Sequence, residues 1–176
     1  MPPKPLHVDP IAEARRQWIA HGWGEAADGM AAVTSVMRAH QLMLAEVEKT
    51  LRPFSLSFAR FEMLRLLAFS KEGTMPMASA TARLQVHPAS VTNTVARLER
   101  DGLVRRDPHP RDGRAALLTI TPAGYEITEA ATAALNEQVF AQVCEEVIPP
   151  LTQSIAKLRL DAGDFSMPAP APEPLV

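Results

Sequence analysis

Apolar side chains between residues 25 and 51 recur at steps of three and four: Met30, Val33, Met37, Leu44, Val47 and Leu51, with His40 in the same row. That spacing is the seam of one long amphipathic helix. At 1.5 Å per residue such a helix runs roughly 40 Å, more than one small core covers, so part of the seam is expected to meet another subunit. Before it, "DPIAEARRQWIAHGW" reads as a short helix with Asp9 at the cap and Pro10 in its first turn, broken by Gly22 and Gly24. After it, Pro53 ends the seam. Ser57 caps a helix with Phe58, Phe61, Leu64 and Leu67 on its apolar face.

"KEGTMP" then reads as a turn, residues 77–83 as a short helix, and "LQVH" as a second turn. Pro88 begins another helix, which Asp101–Gly102 closes. There the period changes. "LVRR" reads as a strand, "DPHPRDG" as a turn-rich loop and "RAALLTI" as the returning strand. Thr121–Pro122 caps a helix expected to run to about Val147, where Pro149–Pro150 would break it, and residues 151–160 form the last one. The fold class predicted is mainly α with a small β-hairpin wing. It divides into N-terminal and dimerisation helices (1–52), a winged helix-turn-helix (53–121), C-terminal dimerisation helices (122–162) and a proline-rich disordered tail (163–176).

Charge sharpens this picture. The 176 residues are 47% apolar and 22% charged, with a net charge of −2, ordinary for a globular protein. Yet residues 83–114 carry seven arginines against four acids, while residues 121–176 carry two cations against eight acids. A basic stretch inside an acidic chain points to a directed contact with an anion.

On a helical wheel, Val91, Val95 and Leu98 of "PASVTNTVARLER" fall together. Ala89, Asn93, Ala96, Arg97 and Arg100 fall opposite, with Ser90 and Thr92 on the flanks. Small residues early on that face, beginning at Pro88, let a helix descend into the roughly 12 Å major groove, where Asn, Ser, Thr and Arg reach base edges or phosphates. Arg111 and Arg114 on the hairpin suit a minor groove, where the negative potential is strongest. The partner predicted is double-stranded DNA.

From about residue 30 to 160 the chain resembles the MarR family of bacterial regulators. The resemblance rests on "SVTNTVARLERDGLVRR" followed by "DPHPRDGRAALLTITPAG". Asp112 stands where the family keeps an aspartate that orients a DNA-contacting arginine, here Arg114. Asn93 stands where many members carry arginine. The resemblance implies a homodimer built from the first long helix and the last two helices, reading half-sites of a pseudo-palindromic operator about one helical turn apart. It also implies repression relieved by a small aromatic or phenolic ligand. Trp18, Trp23 and His40, with Arg15 to pair a carboxylate, are the candidate ligand residues.

Other functions find less support. There is no phosphate-binding glycine loop, H-E-x-x-H or nucleophile elbow, so no enzyme is predicted. Cys144 is the single cysteine, which leaves no disulfide framework or cysteine zinc site. His7, His87 and His109 lack the spacing of a metal site, and no cofactor is expected. A redox-sensing member of the same family is an alternative. However, Cys144 lies late in the chain beside Glu145 and Glu146, which work against the thiolate a sensor needs. A winged helix used only for protein contacts is another, and it predicts an apolar or acidic outer face rather than one bearing Asn93, Arg97 and Arg100. No secretory signal and no span of roughly 20 apolar residues is visible, so a cytoplasmic location without membrane contact is expected.

Overall fold

Asp9 opens the first helix as the sequence predicts. Its Oδ1 accepts from the Ile11 N–H at 2.9 Å, and α1 runs Pro10–Ala20. The structure, a computed structural model, describes residues 6–84, 88–109 and 112–167, with backbone alone for 88, 109 and 112–115. The chain forms two compact units, Met1–Glu46 and Val47–Val176.

In the first unit, Gly22 at φ +85° turns the chain out of α1, a conformation natural to glycine. The 28-residue helix α2, Gly24–Leu51, follows. Within this unit Ala27 is buried, while Val33 (60% exposed), Val36, Met37 (59%) and Met43 stand in solvent with His40. The middle of the predicted seam is therefore uncovered in a single chain.

The second unit begins where that seam becomes core. Val47 and Leu51 are buried at the end of α2. Pro53 lies in a single turn, Arg52–Phe54, that ends on Ser55 at φ +54°. Helix α3, Phe58–Phe69, starts at Ser57, whose Oγ accepts from the Arg60 N–H, while Glu48 Oε1 accepts from the Phe58 N–H at 2.9 Å. Both donors belong to the first turn, which has no partner inside its own helix. Phe61, Met63, Leu64 and Leu67 are buried and Phe58 is half-buried.

The predicted turn at "KEGTMP" contains a strand instead. After a turn at Lys71–Gly73, β1 (Thr74–Pro76) pairs antiparallel with β3 (Asp112–Ile120). Met75 is buried opposite Leu118. Helix α4, Met77–Leu84, matches expectation, whereas the "LQVH" turn lies outside the described residues at 85–87. Helix α5 is Pro88–Arg100.

The wing is longer than predicted. Strand β2 runs Val104–His109 and pairs with β3 through Asp107 and Pro108, giving the sheet order β1-β3-β2. The residues read as a loop are therefore mostly strand. Pro108 is tolerated because β2 is an edge, where a missing N–H costs no ladder bond, and a register shift follows it at His109.

Thr121 caps α6, Pro122–Gln138, which stops nine residues short of the expected Val147. Val139 leaves helical geometry at φ −124°, ψ −61°, and a turn at Phe140–Gln142 follows. The prolines expected to break this helix instead lie in the first turn of α7, Ile148–Asp161, where an N–H would have no helical acceptor. Of the expected tail, the first residues turn back on α7. The Arg159 guanidinium meets Asp164 at 2.7 Å and lies over the Phe165 ring at 5.4 Å. The rest of the tail lies outside the described residues.

Candidate nucleic-acid interface

The opposed faces of α5 decide what it can do. Val91, Val95 and Leu98 are at most 1% exposed, and they join one core with Leu64, Leu67, Leu103, Leu118 and Ala131. At roughly 1.5–3 kcal/mol per fully buried aliphatic side chain, these three fix the helix's rotation. Ala89, Ser90, Thr92, Asn93, Ala96, Arg97 and Arg100 are all exposed. The structure thus brings the predicted major-groove residues onto one face, small near the N-terminus and cationic in the last turn. Pro88 supplies the first backbone position. Arginines at a helix C-terminus also complement its dipole, so the last turn alone carries no functional argument. The polar front does.

The other end of α5 is tied to the wing. Gly102 takes φ +72°, and the Leu103 N–H returns to the Leu98 carbonyl at 2.9 Å, the pattern of a glycine-closed helix end. Thr121 then works in two directions. Its hydroxyl donates to the Gly102 carbonyl at 2.8 Å and accepts from the Gly124 N–H at 3.0 Å. Its own N–H reaches the Leu103 carbonyl at 3.1 Å. The Thr-Pro-x-Gly segment therefore joins the end of α5, the base of the wing and the start of α6.

On the wing, Arg105 and Arg106 are exposed on β2, with Arg105 held by Asp107 at 2.6 Å. Asp112 and Arg114 occupy β3 by backbone, close to the hairpin tip. Arg111 lies outside the described residues.

Of the candidate ligand residues, Trp18 and Trp23 come together, while His40 lies away from them. Trp18 and Trp23 meet edge to face with ring centres 5.4 Å apart, and His21 stacks on Trp23 at 5.8 Å. Trp23 is 56% exposed, so this is a surface cluster. The Arg15 guanidinium is paired with Asp28 at 2.5 Å. Arg16 holds Glu13, and with Gln17 brings that carboxyl down to about 2. His40 lies 17 residues along α2 from Trp23, roughly 25 Å at the helical rise, and is exposed.

Sequence reading missed a cavity of about 390 Å³ in the second unit. It is lined by Pro53, Phe54, Ser55, Arg60, Asp101, Leu103 and Ile127. These residues come from four separate stretches of sequence, and no local motif marks them. Cys144 is exposed. Among the described residues no three His, Cys, Asp or Glu side chains come together as a metal site, and no helix is long and apolar enough to cross a membrane.

Helices α4 and α5, the paired strands of the wing and a polar outer helix face are those of a winged helix-turn-helix protein. Comparison places it more closely. The sequence profile of the MarR family matches residues 54–115. The chain is 46% identical to Sco5413, a MarR family transcriptional regulator from Streptomyces coelicolor. The structural match covers 79% of this chain and 98% of that one, with a TM-score of 0.71. The protein belongs to the MarR family. Sco3205 from the same organism, crystallised in complex with DNA, shares the fold at 24% identity and a TM-score of 0.63, over 81% of this chain and 92% of that one. A curated relative, the HTH-type transcriptional regulator ML2140 of Mycobacterium leprae, is 36% identical over 85 residues. That match spans 48% of this chain and 57% of the relative's length.

Proposed function

We propose that the protein is a homodimeric transcriptional repressor that binds a specific double-stranded DNA site and releases it on binding a small aromatic or phenolic ligand. One observation carries the DNA reading: α5 is anchored by Val91, Val95 and Leu98 and turns Ser90, Thr92, Asn93, Arg97 and Arg100 outward. A helix anchored on one side and polar on the other is the shape a major groove accepts. Sharing a fold with a regulator crystallised on DNA supports the reading. Selection of bound sequences from random duplexes tests it. A recovered motif with two related half-sites about one helical turn apart is expected; recovery of sequence at random contradicts it.

Uncovered apolar side chains support the dimer. They include Val33, Val36 and Met37 on α2, and Phe140, Val147, Ile148, Leu151 and Leu158 in the C-terminal segment. Ligand response is supported by the Trp18–His21–Trp23 cluster and by the cavity beside Arg60. To release DNA, a compound must prefer the conformation that fits DNA poorly; tenfold weaker DNA binding needs about 1.4 kcal/mol of preference. Titrating phenolic acids into the protein–DNA complex, with Trp18→Ala and Ile127→Trp variants, tests both locations. Loss of response in the first places the ligand at the tryptophans, and loss in the second places it in the cavity. A broad panel without effect on DNA affinity removes the ligand from the proposal.

A further inference from the structure

We infer that Arg60 is a positioning residue for the DNA-reading helix, fastening its C-terminal end to the turn that closes the long helix α2. The inference rests on the DNA-binding reading above. Arg60 stands in the first turn of α3, 41 residues from Asp101, the residue that follows α5. One guanidinium nitrogen donates to Asp101 Oδ2, and the other terminal nitrogen donates to the Ser55 carbonyl at 2.7 Å. The arginine side chain is only 13% exposed. A single planar fork thus bridges the Arg52–Ser55 turn and the end of α5.

Two features argue that this bridge is more than a stability device. Asp101 puts a negative charge at a helix C-terminus, the end where the dipole disfavours it. It needs a cation from elsewhere, and Arg60 supplies one; the adjacent Arg100 Nε is 3.6 Å away and mostly in solvent. Arg60 Nε, in turn, is buried without a hydrogen-bond partner. Burying a guanidinium with one donor unpaired is costly, and an apolar side chain of similar volume commonly fills such a space at least as favourably. What the apolar side chain lacks is direction. The fork fixes where the last turn of α5, with Arg97 and Arg100, sits relative to the end of α2. The wing shares this reference, because Thr121 holds the Gly102 carbonyl next door.

The test compares Arg60→Met, Asp101→Asn and the double variant in the full chain. One readout is the affinity ratio between a selected duplex and a scrambled one. A second is amide hydrogen exchange in the free protein at Asp101, Gly102 and Leu103. Each single variant is expected to lower the ratio about tenfold, in the range seen for residues acting through others. The double variant should lose no more than either single. The salt dependence should stay unchanged, since Arg60 is not assigned a phosphate contact, and exchange at the three amides should quicken. Unchanged ratios with only a lower melting temperature reduce Arg60 to a structural strut and overturn the inference, as do additive losses or unchanged exchange. A wild-type protein that prefers no duplex fails the DNA reading instead, and exchange alone then decides whether Arg60 restrains the end of α5.

Discussion

The backbone of Gly124 passes so close to the Leu103 carbonyl oxygen that a Cβ there would lie 2.2 Å from it. Leu103 connects α5 to the wing, and Gly124 is in the first turn of α6, so this approach sets the spacing between α5, the wing and α6. Backbone cannot yield as a flexible side chain can. Gly124→Ala should therefore destabilise the protein by about 1–3 kcal/mol, the range for overpacking, and chemical denaturation measures it. Wild-type stability in the variant contradicts the packing described.

Thr121 makes the same junction through its hydroxyl. Thr121→Val keeps the shape but loses both bonds, and should cost about 1–2 kcal/mol, chiefly as a lost helix cap. Thr121→Ser should retain most of the stability. A loss in Thr121→Ser with none in Thr121→Val would instead assign the effect to the methyl group.

Dimerisation is tested on the exposed stripe of α2. Val33→Asp with Met37→Asp places two charges one turn apart where a subunit contact is proposed. Sedimentation should show a monomer, and affinity for a two-half-site duplex should fall at least about tenfold as the second half-site is lost. An intact dimer would move the interface elsewhere.

Much of this was legible because local chemistry and global fold agree. Asp9, Ser57 and Thr121 each sit before an apolar-periodic run, and each caps a helix. Val91, Val95 and Leu98 follow the helical period and are buried. The misses are equally physical. A three-residue strand such as β1 has no period to detect and exists because β3 supplies its partner. Pro108 reads as a loop residue until the edge position of β2 is known. No glycine or proline marks the end of α6 at Gln138, whereas Pro149–Pro150 signals a start as readily as a stop. Of the candidate site, the exposed face of α5 could be read from its wheel. Arg60 could not, because its partner lies 41 residues away and nothing local couples them.

Glu62 gives the pH prediction. Partial burial on α3 raises its carboxyl above the ordinary value of 4.5. A carboxyl whose folded pKa is raised favours the folded state in its protonated form, so this group costs stability above its folded pKa. The cost disappears as pH falls below the ordinary carboxylate value. Glu62→Gln should accordingly raise the melting temperature at pH 7 and leave it unchanged near pH 3 (about one unit or more below an ordinary carboxylate). A variant less stable at pH 7 would mean that Glu62 has a favourable partner.

On the wing, Arg114→Ala should weaken specific DNA binding by about 1–3 kcal/mol with the dimer intact. Arg159→Ala, which loses a contact to Asp164 outside the winged unit, should leave DNA affinity nearly unchanged. Equal affinities for the two variants would remove the wing from the interface.

We propose above that this slightly acidic protein binds duplex DNA through the outer face of α5 and its wing. The most direct test is affinity for a selected duplex against a scrambled one, measured between roughly 50 and 200 mM salt, where counterion release is pronounced. A clear preference for the selected duplex is expected, with an affinity that falls steeply and log-linearly with salt, the slope becoming shallower by about one for each phosphate-contacting arginine removed. A flat salt response, or equal affinity for both duplexes, would contradict the proposal.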